Sequence, residues 1–155
     1  MRKVFVSACI TGIHCRYDGS AVWAEVLDTI KDEVCLIPVC PEVYGGMPTP
    51  RNSGERLGEK VIDSHGADVT DYYTRGAEDL IRLAKRLGVT AAILKDRSPS
   101  CGCGVIYDGT FTSKKIKGNG VFAQLLKDAG IHIFSETDSD GIMGFVREND
   151  EETNG

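Results

Sequence analysis

No CxxC pair, no GxGxxG and no GxxxxGK[ST] occurs anywhere in this chain. The first absence removes the usual framework of structural zinc sites. The other two leave a nucleotide-cofactor domain poorly supported. No apolar run approaches the roughly 20 residues that cross a bilayer. The N-terminal "MRKVFVSACI" has two basic residues, but its apolar part is too short for a secretory signal and no polar cleavage region follows. It reads as a first buried strand. No repeat of solenoid period is found. A basic surface is missing too: the net charge is −5 and "SKKIKG" is the only local basic run, which argues against a nucleic-acid backbone as partner.

What is present is a chain of 155 residues, 41% hydrophobic, suited to one domain with a sizeable core. These features point to the cytoplasm and to no membrane partner; of the assembly states, a monomer is favoured. In that compartment six cysteines are not read as structural disulfides. Core thiols, metal ligands or reactive thiols remain.

Periodicity predicts alternating strands and helices. Strands are expected at 3–9 ("KVFVSAC"), 33–40 ("EVCLIPVC"), 90–95 ("TAAILK") and 131–136 ("IHIFSE"). Helices are expected at 21–31 behind a Ser20 cap, at 70–87, and at 120–130. In the helix at 70–87, Ala77, Leu80, Ile81, Ala84 and Leu87 form the inner stripe. Glu78 and Arg82 are spaced to pair outside, and Gly88 stops the helix. This alternation implies one doubly wound α/β domain, with a mainly parallel sheet and helices on both faces. The domain is expected over 1–145, with an acidic, flexible tail at 146–155. Two connections, 41–69 and 96–119, are too long to be idle; the first has a possible hairpin around 56–69. "CRYDG" at 15–19 and "VIYDG" at 105–109 echo each other. They are either two Asp-Gly turns or two tyrosines flanking one site.

Ligands of an open parallel sheet bind at the carboxyl ends of its strands. Cys9 closes the first expected strand, Cys40 closes the second, and Cys101 follows the third in "KDRSPSCGCG". Any one of them reads as a buried small hydrophobe; three at one sheet edge argue for a site. Cys35 reads as core. Cys15 and Cys103 lie in loops near the same edge and read as bystanders, with spare ligand or sulfur acceptor as alternatives. Two chemistries stay open. Zinc would need a fourth ligand, for which His14 is the candidate among His14, His65 and His132. An iron–sulfur cluster tolerates dispersed thiolates, and Cys40-Pro41 is a dipeptide that accompanies cluster ligands. Three thiolates on four irons would leave one iron open as a thiophilic Lewis acid.

Glu42 falls two residues after Cys40, where a carboxyl against apolar walls can serve as general acid or base; the bland alternative is a solvated loop carboxylate. Ser98 and Ser100 flank Pro99 before Cys101, as hydrogen-bonding groups for a substrate or as turn formers. Gly45, Gly46, Gly102 and Gly104 permit close backbone approach. Arg16, Arg51 and Lys95 are candidates to orient a substrate carbonyl or phosphate, with Arg51 in "TPR" best placed; singly, each reads as a surface charge. Tyr17 and Gly46 complete the weaker set of substrate-binding candidates.

The segments "SACITGIHCRYDG", "PVCPEVYGGMPTPR", "DVTDYYTRGA", "AAILKDRSPSCG", "YDGTF" and "GNGVFAQLLKDAGI" occur in that order and cover about residues 3–136. The ordered set resembles the bacterial thiouracil desulfurase family. The resemblance implies a Rossmann-like domain holding a 4Fe–4S cluster on Cys9, Cys40 and Cys101. It implies Glu42 as catalytic carboxylate, with Ser98 implicated beside it and Ser100 the second choice. The activity it implies is desulfuration of a thiolated base such as 2-thiouracil without net redox, releasing the oxo base and sulfide. Cys103 is additional to the motif. The alternative is a small zinc- or thiol-based redox module using Cys101 and Cys103 with Cys9 or Cys15.

Overall fold

A computed structural model describes residues 1–153, with side chains as far as Glu148. Strand β1 (Lys3–Ser7) is the centre of the architecture. Its apolar run is buried on both faces, as a central parallel strand requires. It pairs in parallel with β2 (Cys35–Val39) on one side and with β5 (Ala91–Leu94) on the other; β8 (His132–Ser135) extends the sheet beyond β5. The order β2-β1-β5-β8 reverses direction between β1 and β5, which creates a topological switch point at their carboxyl ends.

Both faces of the sheet are covered, as expected. Phe5, Ala92 and Leu94 point towards α3 (Thr70–Leu87) and α4 (Val121–Asp128), where they meet Ala77, Leu80, Ala84, Phe122 and Leu126. Val4, Val6, Ala91 and Ile93 point the other way, into a core shared with α1 (Val26–Ile30) and α5 (Ser139–Thr153). Helix α3 has the expected bounds and ends at Gly88, whose φ of 75° is the left-handed cap conformation. Arg82 pairs with Asp79, not with Glu78 as its spacing suggested.

Several elements differ from the sequence expectations. The helix expected at 21–31 shortens to α1, because Asp18 Oδ1 accepts both the N–H and the hydroxyl of Ser20 and removes it as a cap. Residues 22–24 run extended instead and bond back to the single 3₁₀ turn Ala8–Ile10 (Val22 N–H to Cys9 O, 2.9 Å; Ala24 N–H to Ile10 O, 3.0 Å). The hairpin expected around 56–69 is present slightly earlier, as β3 (Gly54–Leu57) with β4 (Lys60–Asp63), and the second long connection holds one that was not expected, β6 (Val105–Tyr107) with β7 (Lys115–Lys117). A four-residue helix, α2 (Pro41–Tyr44), starts the first. Helix α5 was not anticipated at all; Ile142 and Val146 are core residues, so the segment from 146 begins buried. The side chains of 149–155 lie outside the described residues; the backbone of the segment expected as an acidic tail is helical as far as Thr153.

Candidate active site

A cavity of about 340 Å³ opens at the carboxyl ends of β1, β2 and β5. Its floor is sulfur-rich. Cys9 lies in the 3₁₀ turn after β1, Cys40 is the residue between β2 and α2, and Cys101 follows β5. Cys15, expected to be a bystander, lines the cavity as a fourth thiol, buried at 7% exposure in the neighbourhood of Cys40 and Cys9. All six cysteines are free.

Burial dominates the thiol electrostatics. Desolvation, followed by the neighbouring Cys40, pushes Cys9 up to about 11, with Lys95 and Arg16 pulling the other way. Cys15 is pushed up to about 12 by burial and by Cys40 and Cys9. Burial also raises Cys101 strongly, and the neighbouring Ser7 and Ser100 hydroxyls oppose it only in part. Without a cation these groups are neutral thiols; a bound metal would draw off their protons.

Glu42 is held by three donors. Its Oε1 accepts from Arg51 Nε (3.2 Å) and from the Tyr73 hydroxyl (2.9 Å), and its Oε2 accepts from Ser100 Oγ (2.8 Å). The Arg51 side chain is 4% exposed and that of Glu42 is 13%, so this ion pair is screened from water. Arg51 also reaches the Cys15 carbonyl through Nη2 (2.9 Å), and its own N–H bonds Tyr17 O (2.7 Å). Tyr73 is fully buried, and burial and the Glu42 carboxylate both raise its pKa, so it stays a protonated donor.

The hydroxyl directions are settled by counting. Ser98 Oγ accepts the N–H groups of Ser100 and Cys101 (3.1 Å each), so its hydrogen points to Ser100 Oγ at 3.0 Å. Ser100 in turn donates to Glu42. Ser100 therefore touches the carboxylate, and Ser98 holds the loop behind it. Both line the cavity.

Glycines set these distances. A Cβ on Gly76 would stand 1.8 Å from the Pro41 carbonyl oxygen, and one on Gly45 would stand 2.0 Å from that of Tyr72. Only glycine at both lets α2 lie directly on α3, which brings Glu42 to Tyr73. The Ser100 loop is fixed from the other side. The first N–H groups of α4 have no side-chain cap and bond Pro99 O (2.8 Å) and Ser100 O (2.9 and 3.1 Å).

Arg16, Tyr17, Arg51, Lys95 and Ser98 line the cavity with Glu42, Ser100 and the cysteines. Lys95 pairs with Glu136 at 2.7 Å, and Arg16 lies over the Tyr17 ring at 5.9 Å. Gly46 is not brought to the cavity; it packs against the Tyr72 ring. His14 is exposed and outside the lining. Cys103 lines a separate shallow depression with Gly104, Lys127 and His132, so it is divided from Cys101. Both readings of the sequence echo hold. Tyr17 and Tyr107 line the same cavity, and Asp18 and Asp108 each close a turn on the Ser or Thr two residues on. Tyr73 was not found by sequence reasoning; its signal was the inner stripe of α3, where it looked like any buried aromatic.

Among the described residues no three His, Cys, Asp or Glu side chains are grouped so as to hold a single metal ion. The donor set fits a larger group: a four-iron cube takes thiolates at separate corners, and Cys9, Cys40 and Cys101 stand around a space. No described helix is long and apolar enough to cross a membrane.

The model of the 2-thiouracil desulfurase family matches residues 4–138. The chain is 42% identical over 150 residues to the uncharacterized protein YbbK of Bacillus subtilis (strain 168), covering 90% of this chain and 99% of that one. It is also similar to a solved structure of TudS, described as a [4Fe-4S]-dependent thiouracil desulfidase. There the identity is 43% and the TM-score 0.82, over 88% of this chain and 91% of the other.

Proposed function

We propose, from the premise that this chain belongs to the 2-thiouracil desulfurase family, that it removes sulfur from a thiolated nucleobase such as 2-thiouracil, releasing the oxo base and sulfide. Cys9, Cys40 and Cys101 would hold a 4Fe–4S cluster. When bound, the cluster supplies an iron without a protein ligand, a Lewis acid for the thiocarbonyl sulfur. Water supplies the oxygen that replaces sulfur on the same carbon, C=S becoming C=O at one oxidation level with sulfur leaving as sulfide, so no electron donor enters the reaction.

The chain's own residues supply the proton chemistry. Two oxygens accepting three hydrogen bonds are the pattern of an ionised carboxylate, which makes Glu42 the base that takes a proton from the attacking water. Arg51 and Tyr73 fix Oε1. Ser100 links Oε2 to the sulfur floor and offers a path for that proton towards the departing sulfide. Lys95 and Arg16 add positive potential at the cavity wall, which favours a substrate that gains negative charge as water adds.

One observation carries this reading: Glu42 and three cysteines from three separate strand ends line one cavity, with Ser100 Oγ 2.8 Å from Glu42 Oε2 and 3.7 Å from Cys101 Sγ. The test is anaerobic reconstitution with iron and sulfide, then sulfide release from 2-thiouracil. About four irons and four labile sulfides per chain are expected, with stoichiometric uracil and no added reductant. Full activity in iron-free protein would overturn it.

A further inference from the structure

Three non-glycine residues hold positive φ among the described residues, Arg97 (60°), Phe111 (59°) and Ser113 (63°), and all three line the cavity. For a bulky side chain this backbone region is an outlier that persists only where its surroundings enforce it. At Phe111 they do. Glu55 Oε1 accepts the N–H groups of Gly109 (3.1 Å) and Phe111 (3.2 Å), and Asp108 N–H bonds Lys114 O (2.9 Å). Gly109 lies so close to β3 that a Cβ would stand 2.8 Å from Arg56 O. The tip of the β6–β7 hairpin is thus pinned onto the β3–β4 hairpin, and the two long connections meet at the cavity.

The ring placed this way joins none of the three buried clusters and is 37% exposed. A turn that needed only to close would take glycine or asparagine here. The backbone strain therefore has no return in core packing; what it achieves is an aromatic face at the cavity, beside the other lining aromatics Tyr17 and Tyr107.

We propose that Phe111 is a specificity-determining residue that stacks its ring on the flat face of the substrate, so that the substrate class is planar heteroaromatic thiocarbonyl compounds, not open-chain thioamides or thioureas. The assignment rests on the desulfurase reading and is tested partly by binding, which does not depend on turnover. Phe111→Gly removes the ring and keeps the backbone, since glycine adopts φ near 59° without strain. Its melting temperature is expected to hold or rise. In the cluster-loaded protein its Kd for uracil, the oxo product, should rise about ten-fold, within the range for truncating a base-stacking aromatic. Phe111→Tyr should restore it. In sulfide-release assays the KM for 2-thiouracil should rise similarly with kcat within about two-fold, while thiourea releases sulfide only at background from both proteins.

An unchanged uracil Kd in Phe111→Gly overturns the assignment, as does sulfide release from thiourea as efficient as that from 2-thiouracil in the unaltered protein, or the absence of uracil binding by the unaltered protein. If uracil binds through Phe111 but no sulfide is released from 2-thiouracil, the desulfurase reading falls and the stacking assignment stands.

Discussion

Ser100 stands between Glu42 and Cys101, its hydroxyl 2.8 Å from the carboxylate Oε2 and 3.7 Å from the sulfur. This single buried side chain joins the Glu42 side of the cavity to its sulfur-lined side. Substitutions on either side of it should separate the two. Glu42→Gln keeps the shape and removes the base; iron content should be unchanged and kcat should fall by about 10²–10⁴. Ser100→Ala should keep iron and lose about ten- to hundred-fold in kcat, the scale of one hydrogen bond to a charged group. Iron lost in parallel with activity in Glu42→Gln would assign Glu42 to structure alone.

The four cavity thiols are not equivalent in this reading. Replacing Cys9, Cys40 or Cys101 with serine should abolish the reconstituted cluster, read as loss of absorbance near roughly 400 nm together with labile sulfide. Cys15→Ser should leave the iron count intact, although Cys15 lines the same cavity as Cys40. Cys103→Ser, in its separate depression, should change neither iron nor activity. Loss of the cluster in Cys15→Ser would move Cys15 into the ligand set.

What the sequence made legible was whatever periodicity or strand ends encode. Helix α3 was readable because its apolar stripe, its polar face and Gly88 all agree. Cys9, Cys40 and Cys101 were readable as neighbours because parallel strands bring their carboxyl ends to one edge. Local side-chain chemistry defeated the helix expected at 21–31: the bond from Ser20 to Asp18 outweighs a modest helical pattern. Helix α5 was hidden by its acidic composition, although Ile142 and Val146 are buried and Met143 and Phe145 pack beside them. The Glu42–Tyr73 contact could not be read, because it depends on two glycines 31 residues apart (45 and 76) permitting one close approach in space.

That close approach makes opposite predictions for the same substitution at two helical glycines. Gly76→Ala puts a methyl group 1.8 Å from Pro41 O, a backbone atom that cannot swing aside. Helix α2 must lift from α3, carrying Cys40 and Glu42 with it. The melting temperature should fall by about 5 °C or more, in line with overpacking costs, and the cluster should load poorly. At Gly144 in α5 nothing stands within 4 Å of a Cβ, so Gly144→Ala should leave loading unchanged and raise the melting temperature slightly. Equal behaviour of the two variants would contradict the packing of α2 on α3.

The raised thiol pKa values make a stability prediction for the cluster-free protein. Burial raises Cys9 from 9.0 to about 11 and Cys15 to about 12, so the folded state keeps protons that the unfolded chain releases. Above pH 9 the native form binds more protons than the unfolded form, and stability falls as pH rises. The contribution is fully present below pH 9 and is lost as the pH climbs through about 11. Cluster-free protein should therefore show a melting temperature that is flat from pH 7 to 8.5 with respect to these groups and declines beyond. Cys9→Ser should remove part of that alkaline decline, because serine has no proton to release in this range. In the cluster-loaded protein Cys9 is already a metal-bound thiolate in the proposed ligand set, so its share of the decline should vanish there. A decline of the same depth in wild type, Cys9→Ser and loaded protein would place its origin outside the cavity.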